Sequence, residues 1–186
     1  MPTLNLQVGA SSDDARENSG AMSLAQTQIN SSGTGQQLGF RWPNVTVPNA
    51  ATITSAILSF YVTSTSNDTP NGATVGMEDS DDAATFTATT DDIDDRTRTS
   101  TVAWSGTNIG AGWQTVDVTT YVQAVVNRAG WVSGNAMAAI LYGVSGSDVT
   151  ITAWDGTPSQ AAKLDITYTT AGGATRPAVY YARARA

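Results

Sequence analysis

The sequence predicts an all-β jelly-roll sandwich of about ten short strands, with one short helix and an extended C-terminal arm. Hydrophobic residues make up 40% of the 186 residues and charged residues only 13%, a composition with many Ser and Thr that favours pleated, half-buried strands. Short apolar–polar alternations recur along the chain, separated by turns rich in Gly, Pro, Asn and Ser. Many short strands with turn signals between them indicate a sandwich or a jelly roll.

The strands of the first half follow from alternation. Leu4 and Leu6 alternate with polar residues in the first strand, and Leu38, Phe40 and Trp42 share one face of a later one. The most strongly predicted strand combines β-branched and aromatic residues throughout its length. Residues 9–20 are predicted as a polar, acidic loop and residues 30–35 as a turn. The predicted strands of this half are 3–8, 21–29, 37–42, 53–64 and 73–78.

The second half opens with a long, polar, Asp-rich segment, 79–99, for which no strand is predicted. Residues 118–128 form the one predicted helix, because Tyr121, Val122 and Val125 recur at helical spacing. Such a short, β-branched helix needs packing to persist, and we expect it across an open end of the sandwich. The predicted strands of this half are 100–104, 113–118, 136–144, 149–154 and 164–168.

The charge distribution separates a body, residues 1–169, from a tail, residues 170–186. The chain carries a net charge of −7, and since the tail holds three arginines and no acid, the body carries −10. A cationic tail on an acidic body is suited to docking on an acidic neighbour, such as another copy of the chain, although an ordinary ragged end is the alternative. The acidic body argues against a nucleic-acid partner, whose phosphates need a basic face.

Residue types exclude several kinds of chemistry. The chain has no Cys, which excludes disulfides and thiolate metal sites, and no His, which excludes Ser–His–Asp and Cys–His catalysis. No pair of carboxylates stands out as the acid and base of a glycoside hydrolase. No apolar run reaches membrane-spanning length, and residues 1–5 do not read as a secretory signal. We therefore expect a non-enzymatic protein that has no membrane partner and is made in the host cytoplasm rather than secreted through a signal peptide.

Several phrases of the sequence resemble a known family. They are VGASSDDARE at 8–17, LGFRW at 38–42, VTVPNAATITSAILSF at 45–60, DDAATF at 81–86, RTRT at 96–99, VQAVVNRAGWVSG at 122–134, WDG at 154–156 and KLDITY at 163–168. Together they resemble the DNRLRE-type jelly-roll domains, which are similar to carbohydrate-binding modules.

The resemblance implies a jelly-roll fold and no shared catalytic residues. Members of the family occur as modules in secreted bacterial enzymes and surface proteins, and in phage virion proteins. This chain differs from the secreted pattern because it shows no signal, no attached enzyme and an added tail. These differences favour a stand-alone protein of a phage particle.

Two groups of residues in the body are candidate ligand sites. Asp91, Asp92, Asp94 and Asp95 could supply oxygen ligands to Ca²⁺, with turn formation in a solvated loop as the alternative. The spacing does not fit an EF-hand. Trp104 and Trp113 flank a glycine-rich loop and are the candidate surface tryptophans for stacking on sugar rings, whereas the other tryptophans are predicted to lie mostly in the core.

The tail is the candidate interface, because its Tyr and Arg side chains are typical anchors of protein–protein contacts and an extended segment could add a strand to a neighbouring sheet. Its candidate interface residues are Arg176, Val179, Tyr180, Tyr181, Arg183 and Arg185. The leading hypothesis is a phage virion protein, either a capsid decoration or cement protein or a head or tail accessory protein. It is expected to form a homo-oligomer, most plausibly a trimer, and to bind a major capsid or other virion protein. The alternative is a carbohydrate-binding or cell-surface adhesion module whose partner is a surface glycan.

Overall fold

The computed structural model describes residues 1–63, 69–105 and 109–170, which form a two-sheet structure with a single α-helix. The strands are β1 (Thr3–Gln7), β2 (Asp14–Asn18), β3 (Ala21–Ser23), β4 (Gln28–Ser32), β5 (Gln36–Trp42), β6 (Thr52–Val62), β7 (Ala73–Met77), β8 (Val102–Trp104), β9 (Gly112–Asp117), β10 (Met137–Tyr142), β11 (Asp148–Thr152) and β12 (Lys163–Thr169). The helix is α1 (Thr119–Val126), and a 3-10 turn spans Pro158–Gln160. These elements confirm the predicted all-β fold with one short helix.

The strands are arranged in two six-stranded antiparallel sheets. The first sheet has the order β1-β12-β6-β11-β4, with β9 also pairing with β6, and the second has the order β3-β2-β5-β10-β7-β8. The chain passes repeatedly from one sheet to the other, as it does in a jelly roll. The sandwich extends from β1 to β12, which pair with each other in the first sheet.

The main core lies between the two sheets. Phe40 of β5 contacts Phe60 of β6 with a ring-centroid distance of 4.8 Å, which joins the sheets directly. Trp42 and Trp131 are both buried, and their indole N–H groups donate to the carbonyls of Ala162 and Val47. Because each buried N–H has an acceptor, these large side chains fill the core without an unpaired polar group.

Helix α1 closes one side of the sandwich. It buries Val122, Val125 and Val126, and the Asp117 carboxylate accepts a hydrogen bond from the Thr119 N–H at its start. The helix also packs against β6, which pairs with β9 only from Ile57 to Val62.

Along the part of β6 that β9 does not reach, side chains of α1 take the place of a strand on that edge, while β12 pairs with the other edge. The Thr119 hydroxyl accepts from the Ala56 N–H, and the Gln123 amide oxygen accepts from the Ile53 N–H. The Gln123 NH₂ group also donates to the Ala51 carbonyl at 2.9 Å. The helix therefore satisfies backbone groups that the sheet leaves without partners.

The predictions for residues 9–35 are wrong in part. The predicted loop 9–20 contains β2, and the predicted strand 21–29 contains β3 and the beginning of β4, which runs on into the predicted turn. Strand β2 has no apolar alternation, because two of its buried residues are the acids Asp14 and Glu17. Tertiary contacts rather than hydrophobic pattern hold it between β3 and β5.

Candidate functional site

The Asp-rich segment 79–99, here called the acidic loop, covers the outer face of the second sheet. Phe86 and Ile93 are buried there in a second hydrophobic cluster with Ala15, Ala138 and Ile140 of the sheet. The sequence prediction assigned no strand to this segment, and none is found. Its apolar residues nevertheless fix it to the sheet, so it is a structural layer rather than a solvated loop.

Arg96 holds the acidic loop together from within. Its guanidinium lies over the Phe86 ring, 4.3 Å from the centroid, and pairs with Glu78 at 2.8 Å and with Asp92 at 3.2 Å. It also donates to the carbonyls of Ala84 and Thr85. Since its Nε–H also donates to the Asp92 carbonyl, a single buried cation neutralises two acids and satisfies three backbone acceptors.

A second set of contacts ties the loop to the sheet beneath it. Glu17 of β2 is buried and accepts from the N–H groups of Ile93 and Asp94, at 2.8 and 3.0 Å. Asp94 in turn accepts from the Gln37 amide at 3.0 Å. Burial raises the pKa of Tyr142, the other group near Asp94, to about 12. Tyr142 therefore stays a neutral phenol at physiological pH.

These contacts give different partners to the four aspartates that are predicted as calcium ligands. Asp92 pairs with Arg96 and Asp94 with Gln37, while Asp91 has a positive φ of 62° and Asp95 is exposed. Within residues 1–63, 69–105 and 109–170, no three acidic side chains are grouped to hold a metal ion. The four aspartates therefore differ in their partners, and calcium binding among them stays a prediction.

Trp104 is not a surface residue, contrary to the prediction. Only 5% of it is exposed, and it packs against Phe60 at a centroid distance of 5.2 Å. Strand β8 places it on the inward side of the second sheet, where the core excludes it from any sugar. The flanking glycine-rich loop, which suggested exposure, gives no information on which side of β8 a residue lies.

Trp113 is exposed over 40% of its surface and lies on the outer face of the first sheet. Its ring meets Tyr61 edge-on at 5.4 Å, and the Lys163 ammonium lies 4.0 Å from its centroid. The pairs Tyr61–Trp113 and Lys163–Ser59 are in register, and paired residues of adjacent strands share a face. We call the outward side chains of β1, β12, β6 and β9 the open face.

The open face contrasts with the outer face of the second sheet. Asn5, Thr115 and Asp117 are exposed on it, and Lys163 and Asp165 are partly exposed. The acidic loop packs on the other sheet, so the open face is the broad sheet surface left to solvent among the described residues. Its side chains combine one aromatic cluster with polar and charged groups of both signs.

The predicted tail interface cannot be placed on this framework. Its residues, Arg176, Val179, Tyr180, Tyr181, Arg183 and Arg185, lie outside the described residues. The last described strand, β12, lies between β1 and β6 in the first sheet, so the tail follows in sequence from the sheet that carries the open face.

The sequence did not indicate that the acids of β2, and Asp13 directly before it, are buried. Asp13, Asp14 and Glu17 are each at least 95% buried, yet the sequence places them in a run that reads as a polar loop. Asp13 forms an ion pair with Arg41 at 2.7 Å. The one signal in the sequence is indirect: Arg41 stands in the apolar strand β5, where a charge needs a partner.

No family model matches this chain, and no curated protein is significantly similar to it. The resemblance to DNRLRE-type domains therefore stays a prediction drawn from the residues. In the part of the chain that the structure describes, no helix has the length and apolar character needed to cross a membrane.

Proposed function

We propose that this protein is a non-enzymatic structural protein of a bacteriophage particle, acting as a capsid decoration or cement protein or as a head or tail accessory protein. The observation that carries the proposal is the relation between the tail and the open face. The open face belongs to the first sheet, and β12 of that sheet, which pairs with β1 and β6, is followed directly in sequence by the tail. Two binding surfaces are thus linked to one rigid sheet.

The second sheet supports the same orientation. Its outer face is already covered by the acidic loop, which buries Phe86 and Ile93 against it. A partner therefore meets the first sheet, where polar and aromatic side chains of the open face can be buried in a contact. The basic tail, with Tyr180 and Tyr181, then clasps a neighbouring copy or a major capsid protein.

The mechanism needs no chemical step. Burying surface against the particle stabilises the bound assembly by mass action, and repeated copies related by symmetry, such as a trimer, multiply the contacts. Strand addition by an extended tail supplies main-chain hydrogen bonds to a neighbouring sheet edge.

Light-scattering mass tests the role of the tail. The full chain is compared with a chain ending at Thr170 and with a full-length control in which Arg176, Arg183 and Arg185 are replaced by Gln. We expect a trimer for the full chain, a monomer for the shortened chain and weakened association for the control. A full chain that stays monomeric from micromolar to near-millimolar concentration contradicts assembly through the tail.

A second candidate function, glycan binding, is favoured by the position of Trp113. Its exposed ring lies beside Tyr61 on a sheet face that also presents Lys163 and Asp165, and sugar-binding sites combine an aromatic face with such polar groups. In this function the open face binds a surface polysaccharide instead of a particle protein.

Tryptophan fluorescence across a panel of polysaccharides tests this second function. Replacing Trp113 by Ala removes a stacking contact worth about 0.5–1.5 kcal/mol, so we expect Kd to rise about two- to tenfold. Val132→Ala is the control, since Val132 is an exposed apolar residue at 59% exposure outside the first sheet. The absence of any fluorescence change with the whole panel, in the unsubstituted protein, rules out the glycan function.

A further inference from the structure

One buried and one partly buried carboxylate lie where β2 begins and in the turn after β11. Asp14 is only 1% exposed, and its Oδ2 accepts a hydrogen bond of 2.7 Å from the backbone N–H of Trp154. The next residue, Asp155, accepts a 2.7 Å hydrogen bond from the Ser11 hydroxyl at its Oδ1. We call this group of Ser11, Asp14, Trp154 and Asp155 the carboxylate niche.

One oxygen of each carboxylate in the niche has no protein partner. Asp14 Oδ1 and Asp155 Oδ2 are both buried, and neither accepts a hydrogen bond from the described residues. Two arginines of the same sheet have other partners: Arg41 pairs with Asp13 and donates to the Ala83 carbonyl, and Arg16 of β2 donates to the side-chain oxygen of Gln36. Two buried acid oxygens therefore have no protein partner, and they belong to residues that the Asp14–Trp154 hydrogen bond brings to the same part of the fold.

Leaving this charge buried and unpaired is costly. The site thus favours any positive species that reaches the two free oxygens.

We propose that the carboxylate niche binds a calcium ion between Asp14 Oδ1 and Asp155 Oδ2. A hard cation suits a site built only from oxygen, and Ca²⁺ accepts irregular sets of carboxylate, hydroxyl, carbonyl and water ligands, whereas Mg²⁺ requires near-octahedral geometry. With two carboxylates rather than three, the remaining ligands are neutral oxygens, and the affinity falls in the weak range of about 10⁻⁴–10⁻³ M.

The bound ion would join two distant parts of the chain. Asp14 opens β2 of the second sheet, while Asp155 follows β11 of the first. Calcium in the niche therefore crosslinks the two sheets at one end of the sandwich. This inference does not depend on the proposed function, because it concerns the stability of the body alone.

Thermal unfolding of the full chain, freed of metal with a chelator and titrated with CaCl₂, tests the proposal. At about 10 mM CaCl₂, which is about ten- to hundredfold above the expected Kd, we expect Tm to rise by roughly 3–11 °C. The rise should be lost in Asp155→Asn and in Asp14→Asn. It should persist in Asp95→Asn, a matched control in the exposed part of the acidic loop.

Terbium luminescence gives a second readout that needs no unfolding. Trp154 contributes its backbone N–H to the niche, so its indole is within a side-chain length of the bound ion, a distance at which tryptophan sensitises Tb³⁺. We expect Tb³⁺ emission that calcium displaces and that Trp154→Phe abolishes, with the calcium-dependent rise in Tm retained. Asp155→Asn serves if Asp14→Asn does not fold, because Asp155 is the less buried of the two.

Three results would overturn the proposal. One is the absence of any calcium effect on Tm and of terbium emission up to about 10 mM, well above the expected Kd. Another is a calcium effect that survives in both Asp14→Asn and Asp155→Asn. The third is an equal effect of MgCl₂ or of KCl at matched ionic strength, which indicates general screening of the acidic body.

Discussion

At Gly39 the second sheet meets the acidic loop with no room for a side chain. A Cβ added at this position would lie 2.4 Å from the Phe86 ring, closer than carbon atoms approach. The guanidinium of Arg96 lies over the face of the same Phe86 ring. Because Gly39 of β5 has no side chain, there is room for Phe86, the residue that fixes the acidic loop to the sheet.

A double-mutant cycle measures this contact. We expect Phe86→Ala to lower the free energy of unfolding by about 3–5 kcal/mol and Gly39→Ala by about 1–3 kcal/mol. The double variant should cost less than the sum, because removing the ring removes the clash. Chemical denaturation checks this, with Gly9→Ala as control, since a Cβ there meets nothing within 4 Å. Strict additivity would show that the two residues do not share the site.

Asp14 makes the stability of the calcium-free protein depend on pH. Its pKa rises from 3.8 to about 7 on folding, so the folded state binds the proton more tightly than the unfolded state. The stabilisation is fully present below pH 4 and is lost as the pH rises through 7. In chelator, the free energy of unfolding should fall between pH 5 and pH 8.

Asp14→Asn should remove that part of the pH dependence, because the amide does not titrate. Urea unfolding at several pH values in this window compares the two proteins. Parallel pH profiles would mean that Asp14 does not hold a proton more tightly in the folded state.

At the scale of elements, helix α1 acts as a substitute for a strand. Sequence periodicity predicts the helix, and Val122 and Val125 are buried as that periodicity requires. The contacts of the helix with the edge of β6 could not be predicted in this way. Gln123 accepts from the Ile53 N–H and donates to the Ala51 carbonyl, and the local sequence pattern does not predict these hydrogen bonds.

The Gln123→Ala variant tests whether α1 takes the place of a neighbouring strand along β6. Losing both contacts leaves backbone groups beside β6 unpaired, which should lower the free energy of unfolding by about 1–3 kcal/mol. Amide hydrogen exchange should also speed up at Ile53 specifically. Thr120→Ala, on the exposed side of the same helix, should change stability by less than about 0.5 kcal/mol. Unchanged protection at Ile53 would contradict the pairing.

For the whole molecule, the charge separation between an acidic body and a basic tail makes assembly through the tail sensitive to salt. Raising the salt concentration from about 0.1 M to about 1 M shortens the Debye length from about 10 Å to about 3 Å. If the tail docks on the acidic body of a neighbour, the association of the full chain should weaken over this range. Sedimentation velocity would show it, with the chain ending at Thr170 as the control; a mass independent of salt would point to apolar contacts instead.

The sequence by itself determined the class of fold, the position of the helix and most strands, because alternation and helical spacing are local properties that burial on one face requires. It also located Trp113 beside an exposed loop and the charge contrast between body and tail. It failed at β2, where Asp14 and Glu17 are buried without any apolar pattern, and at Trp104, whose side of the strand is set by the register of β7 and β8.

Only the tertiary structure decided how the acids are used. Asp92 forms an ion pair with Arg96, and Asp94 accepts a hydrogen bond from Gln37. Asp14 and Asp155, although they are the same residue type, each keep one buried carboxylate oxygen without a partner. The physical reason is that partners such as Gln37 for Asp94 and Trp154 for Asp14 come from segments distant in sequence, and the spacing of the aspartates does not indicate them. For this reason the sequence did not show that Asp92 and Asp94 have protein partners, and it did not mark Asp14 or Asp155.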